Sequence, residues 1–226
     1  MKKFAVILSG SGKLDGSEIH EATLLLLAID QEGAKYQCFA PDIDQFHVVN
    51  HLTGEVTNEK RNVLVEAARI ARGDIKPLSE FRAENFDALV LPGGFGAAKN
   101  LSTFAFDGAE MTVHSEVEQA IRAMYVLKKP IGAMCIAPTI LAKVLGNVNL
   151  TIGDDHATAE VVTKLGANQV QTENGDVVVD NEKNIFSTPC YMLKASIADV
   201  YEGAINMVEA MMEVLNDLRL GDVAEI

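Results

Sequence analysis

The chain has 226 residues, a length that suits one α/β domain, and 48% of them are hydrophobic, enough for a sizeable core. Charged residues make up 23%, which excludes wholesale disorder. A net charge of −13 lacks the basic footprint that nucleic-acid or anionic-membrane binding needs.

Strands and helices are predicted to alternate. Phe4–Ser9 reads as the first strand. Ser17–Glu32 follows as a helix, with Ile19, Ala22, Leu26 and Ile29 on one face and Gly33 as its stop. Tyr36–Ala40 is the second strand, and the polar stretch Phe46–Thr57 suggests a hairpin. Asn58 would cap a helix running to Arg72, with Gly73 ending it. Ala88–Leu91 is a buried strand that ends in Pro92-Gly-Gly-Phe-Gly96. Ser115–Leu127 is a helix and Ile131–Met134 a strand. Pro138 then fits the first turn of a helix beginning near Ala137, where no backbone donor is needed. Leu150–Ile152 is a further strand and Ala157–Leu165 a short helix. Val177–Val179 and Asn184–Ser187 are strands around a turn, and Tyr191–Leu218 is a long apolar helix.

This alternation implies a largely parallel sheet with helices on both faces, in a single domain over residues 1–226. Sites in such sheets lie beyond the carboxyl ends of the strands. Three loops meet that rule: Gly10–Gly16, Pro92–Lys99 and Cys135-Ile136.

Three cysteines, Cys38, Cys135 and Cys190, make no disulfide framework and fit a reducing compartment. The amino terminus has no signal-type apolar region, and the longest apolar run, Leu24–Ile29, is too short to span a bilayer. The expectation is a cytoplasmic protein that binds no membrane.

Cys135 is the main candidate for chemistry. It lies on the turn between a strand and a helix start, where orphan N–H groups and the helix dipole would favour a thiolate. A strand-to-helix turn also exposes a nucleophile at the sheet edge. A carboxyl beside it in a buried cleft would have a raised pKa and serve as acid and base. Glu21, Glu18 and Asp15 compete for that role on spacing alone. The glycine-rich run after Leu91 offers backbone donors for an oxyanion, and Lys99 and Asn100 are candidates to hold a substrate's polar group. Gly10-Ser-Gly-Lys-Leu-Asp-Gly16 is no dinucleotide fingerprint, because Asp15 stands where the third glycine belongs. His47 and His51 lack the surrounding pattern of a metal site, so no metal or other cofactor is expected. His156, beyond the strand Leu150–Ile152, is a candidate partner for Cys135, and Cys190 a candidate neighbour.

Leu91-Pro-Gly-Gly94 together with Gly132-Ala-Met-Cys135-Ile-Ala-Pro-Thr139 resembles the PfpI-type superfamily, itself similar to class I glutamine amidotransferases. The runs Val6–Gly10, Asp15–Glu21, Asn50–Glu55, Arg61–Val63, Pro92–Leu101 and Thr151–Gly153 resemble its ElbB-like glyoxalase subfamily. The resemblance implies a flavodoxin-like three-layer sandwich, a homodimer, and a nucleophile elbow at Cys135. It assigns the carboxylate role to Glu21, twelve residues before Gly33. It names Gly94 and Ile136 as backbone donors; Gly93, Asn100 and His156 stand beside them as candidates from the residues themselves, although His156 lacks the H-x-E pattern because Thr158 is not acidic. The implied activity is conversion of glyoxal-type 2-oxoaldehydes to 2-hydroxy acids without glutathione or metal, with protein deglycase activity as a related claim. Ala133 and Ala137 replace the glycines of the amidotransferase G-x-C-x-G pattern, and Ile136 replaces the histidine of protease-like members. Two other functions fit a reactive Cys135: a redox-sensing stress protein, and an amidotransferase-like subunit that depends on a partner.

Overall fold

The computed structural model describes residues 1–224, with side chains to residue 217. In chain order the elements are β1 (Lys3–Ile7), α1 (Ile19–Gln31), β2 (Lys35–Ala40), α2 (Val63–Ile70), β3 (Ile75–Pro77) and β4 (Ala88–Leu91). Then come α3 (Phe95–Lys99), α4 (Phe104–Asp107), α5 (Ser115–Val126), β5 (Ile131–Met134), α6 (Pro138–Leu145), β6 (Asn149–Leu150) and α7 (His156–Lys164). β7 (Asn168–Gln169), β8 (Val178–Asp180), β9 (Ile185–Thr188) and α8 (Ile197–Ala224) complete the chain. Seven strands form one sheet in the order β3-β2-β1-β4-β5-β9-β8. All its pairings are parallel except β8 on β9, which closes one edge.

The pleat explains the layers. Along β1, Phe4 and Val6 point to one face and Ala5 and Ile7 to the other, all fully buried. Phe4 and Val6 meet α1, α2 and α8, while Ala5 and Ile7 meet the side bearing α5 and α6. The result is the expected three-layer, flavodoxin-like α/β sandwich. Gly132 lets α8 lie close on β5: a Cβ there would stand 3.0 Å from the Met211 sulfur.

Several boundaries differ from expectation. Ile75–Pro77 is an edge strand, too short for alternation to reveal. The cap of α2 is Asn62, not Asn58; its side chain accepts from the Val65 N–H at 3.0 Å. Residues before it are drawn aside instead, with Gln45 N–H bonded to the Arg61 carbonyl at 2.8 Å. The hairpin over 46–57 reduces to a bridge between Val49 and Val56 with a tight turn. The strand expected at Leu150–Ile152 is β6, which pairs with β7 outside the main sheet. The last helix starts at Ile197 rather than Tyr191. Ser196 and Asp199 exchange side-chain-to-backbone bonds at 2.7 and 3.2 Å, a capping box that fixes the start.

Candidate active site

β5 ends at Met134, and α6 begins at Pro138 with Ala137 as its cap. Cys135 makes the corner with φ +58°, a left-handed conformation that costs a non-glycine residue about 1–2 kcal/mol. Its N–H donates to the Thr188 carbonyl at 3.0 Å, which continues the β5–β9 ladder by one rung and holds the corner. The side chain is 7% exposed and lies at the floor of a cleft of about 770 Å³.

Glu21 enters from the first turn of α1 and is fully buried. Its Oε2 accepts the Gly93 N–H at 2.9 Å, and the Cys135 thiol and the Tyr191 N–H lie close enough to favour the ionised carboxylate. Oε1 is buried with no partner among the described residues. Burial, more than the nearby Glu18 charge, pushes the carboxyl up to about 7. Burial and the Glu21 charge likewise push the Cys135 thiol well above its ordinary value. The expected thiolate at a helix start is therefore corrected. Near neutral pH the pair keeps its protons close by, and Glu21 is the easier of the two to ionise.

Gly93 is glycine for a steric reason. A Cβ there would stand 2.5 Å from the Cys135 Cβ and 2.6 Å from Glu21 Oε2. Gly94 has φ +95° and packs so closely on α1 that a Cβ would meet the Glu18 N at 2.3 Å. The Gly94 N–H faces the Cys135 thiol and partly offsets the effect of burial on it. The Ile136 N–H has no partner among the described residues. With Gly94 facing the thiol and Ile136 next to Cys135 in the chain, these two N–H groups are the candidate oxyanion donors.

The structure brings together Cys135, Glu21, Gly93, Gly94 and Ile136, and leaves out two other candidates. Asn100 is committed to the scaffold. Its Nδ2 donates to the Ser9 and Asp15 carbonyls, both at 2.9 Å, and its Oδ1 accepts the Phe46 N–H at 3.0 Å. No group of Asn100 remains for substrate, which corrects that expectation. His156 is exposed at the first position of α7 and faces away from the cleft, whereas Asp155 and Thr158 line it. One helical step separates these neighbours, and only the helix phase, not the sequence, decides which faces inward. Asp15 is also structural: Oδ2 accepts the Val49 N–H at 2.7 Å. Lys99 donates to the Leu14 carbonyl at 3.0 Å. Cys38 is buried in the sheet with its thiol pushed up to about 12, as a core residue. Cys190 is buried beside the pair, its thiol raised by burial and by Glu21.

Glu18, one of the three competing acids, lines the cleft, and so do His20 and Tyr191, which the sequence reading does not single out. Glu18 caps α1, accepting the Glu21 N–H at 2.8 Å. His20 Nδ1 and the Tyr191 hydroxyl are 2.8 Å apart. A signal for Tyr191 existed, since it follows the carboxyl end of β9, the strand next to β5. Among the described residues, no three His, Cys, Asp or Glu side chains are grouped to hold a metal ion. No described helix is long and apolar enough to cross a membrane.

Comparison with known proteins adds to this geometry. A Homo sapiens relative, glutamine amidotransferase-like class 1 domain-containing protein 3, mitochondrial, is 42% identical over 222 residues, covering 94% of this chain and 83% of its own. The crystal structure of an isoprenoid biosynthesis protein with an amidotransferase-like domain from Ehrlichia chaffeensis superposes with a TM-score of 0.88 at 40% identity. That match covers 94% of this chain and 99% of the other. Glyoxalase III from Candida albicans shares the fold, with a TM-score of 0.60 at 14% identity over 94% of this chain and 96% of that one. The cytoplasmic expectation is corrected by the relatives, since those from Homo sapiens and Rattus norvegicus are both named mitochondrial. Residues 14–188, a span that holds Glu21, the glycine loop and Cys135, match the DJ-1/PfpI family, and the chain belongs to that family within the class I glutamine amidotransferase-like superfamily.

Proposed function

We propose that the protein is a cysteine-dependent glyoxalase of the ElbB-like kind, converting glyoxal or methylglyoxal to glycolate or lactate. The observation that carries this reading is the fully buried carboxyl of Glu21, which meets Cys135 across Gly93 and which burial pushes up to about 7. A base that must remove a proton from carbon near neutral pH needs such a value. The fold is also one that carries a protein named glyoxalase III.

In this scheme the Cys135 sulfur attacks the aldehyde carbon while Glu21 takes the thiol proton. The oxyanion lies between the Gly94 and Ile136 N–H groups and receives that proton, giving a hemithioacetal. Glu21, again a carboxylate, removes the hydrogen from the same carbon and delivers it to the neighbouring carbonyl carbon. The product is a thioester of a 2-hydroxy acid. Water hydrolyses it and restores the thiol, so one 2-oxoaldehyde and one water give one hydroxy acid. Deglycase activity would follow from the same carbonyl chemistry. A glutaminase reading is less supported because His156 faces away from the cleft.

Proton NMR of glyoxal and methylglyoxal with the wild type and Cys135→Ala, without glutathione, tests the reading. Hydroxy acid from the wild type alone is the expected result. No hydroxy acid at high protein concentration would refute it and move attention to peroxide oxidation of Cys135 or to glutamine hydrolysis with a partner.

A further inference from the structure

The scheme above leaves one charge without a partner. When Glu21 takes the hydrogen from the hemithioacetal carbon, the electron pair moves into a carbon–carbon double bond. The second carbonyl oxygen then becomes an enolate oxygen. In that scheme the Gly94 and Ile136 N–H groups serve the first oxygen, and Glu21 is occupied with the proton from carbon. A separate donor is needed for the second oxygen, because an unpaired charge in a partly closed cleft is costly.

The cleft wall narrows the choice. Glu18 and Asp155 are acids and would repel the developing charge. Lys13 is exposed at the rim. Phe104 and Met192 are apolar. Thr158 is tied to Asp155 at the start of α7, and His20 is exposed, which leaves the half-buried Tyr191, whose hydroxyl is 2.8 Å from His20 Nδ1, as the best-placed donor. His20 adjoins Glu21 on α1, so the same helix supplies the base and the support for the acid.

We propose that the Tyr191 hydroxyl, supported by His20, is the acid that protonates the second carbonyl oxygen during proton transfer between the two carbons. This rests on the glyoxalase reading above. The steps balance. Glu21 carboxylate takes the hydrogen from the first carbon, and Tyr191 gives its proton to the second oxygen, forming a sulfur-bound enediol. The His20 Nδ1–H donates to the phenolate oxygen meanwhile. Glu21 then protonates the second carbon, and the hydroxyl on the first carbon returns a proton to Tyr191 as the thioester carbonyl forms. No oxidant or further reactant is needed, and both side chains end as they began.

Tyr191→Phe removes only the hydroxyl and keeps the ring and the backbone N–H. The wild type, Cys135→Ala, Tyr191→Phe and His20→Gln are compared for methylglyoxal turnover and for the rate of Cys135 alkylation by iodoacetamide. The expected result is a fall in kcat of at least about 100-fold in Tyr191→Phe, the lower end for loss of a general acid, with alkylation unchanged. His20→Gln should fall less. A Tyr191→Phe kcat near wild type overturns the inference and leaves the glyoxalase reading intact. A fall in kcat matched by a fall in alkylation also overturns it, since Tyr191 would then be shaping the elbow. A wild type with no Cys135-dependent product overturns the glyoxalase reading and this inference with it.

Discussion

Two loops at the same edge of the sheet are used in opposite ways. The loop after β1 is saturated with hydrogen bonds. Ser9 N–H reaches Ser17 Oγ at 2.9 Å, Asp15 takes the Val49 N–H, and Asn100 joins the Ser9 and Asp15 carbonyls. The turn after β5 keeps groups in reserve: the Ile136 N–H and Glu21 Oε1 have no partner among the described residues, and Cys135 is strained at φ +58°. Buried polar groups are normally paired, so the free Glu21 Oε1 beside a strained Cys135 fits a place where a substrate supplies the missing bond. Polar residues alone do not mark a site. Asp15 and Asn100 are as polar and as buried as the reactive pair, yet they hold one loop still so that the other can react.

The sharpest way to break this contrast is to crowd the reactive loop. Gly93→Ala would place a methyl 2.5 Å from the Cys135 Cβ. Turnover should fall by roughly 100-fold from displacement of the pair, with a stability loss of about 1–3 kcal/mol from overpacking. Steady-state kinetics and urea melts measure the two effects, and an alanine variant with normal turnover would show that the close approach is unnecessary.

Asn100→Ala attacks the saturated loop. It leaves the Ser9 carbonyl and the Phe46 N–H without that partner, at a cost of about 1–3 kcal/mol. Hydroxy-acid formation by the folded fraction should persist. If turnover vanished while the urea midpoint held, Asn100 would belong to the chemistry after all.

A smaller effect lies in the pH dependence of stability. Glu21 is raised from 4.5 to about 7. Between those values the folded chain holds a proton that the unfolded chain has lost, so stability falls as pH rises through the window. The loss from this group is on the order of 3 kcal/mol. Glu21→Gln should lose less stability than the wild type between pH 4.5 and 7.5, and parallel urea melts at both ends compare the slopes. Equal slopes would mean that Glu21 titrates as an ordinary surface carboxylate.

Much of this was legible in the sequence because it rests on local patterns. Apolar runs bounded by glycine marked β4 and β5, and Pro138 marked the start of α6. Cys135 at the elbow followed from those two alone. Glu21 did not, because Glu18 and Asp15 lie near it in sequence, and only where the loop after β1 ends and α1 begins separates them. Glu18 turns back to cap α1 and Asp15 turns to Val49. The scaffold role of Asn100 was illegible because its partners lie 54 to 91 residues away. The thiol's raised pKa was illegible too, since a helix start was visible and the burial opposing it was not.

The central claim is that Glu21 is the base of a shared Cys–Glu unit rather than a support for a reactive thiol. Cys135 alkylation and hydroxy-acid formation, measured side by side at pH 7 on the wild type and Glu21→Gln, test it most directly. Removing the negative charge beside the sulfur eases ionisation of the thiol, so alkylation should hold or rise. Hydroxy-acid formation should fall by about 100-fold or more as the base is lost. A variant that still makes hydroxy acid at close to the wild-type rate would contradict the account.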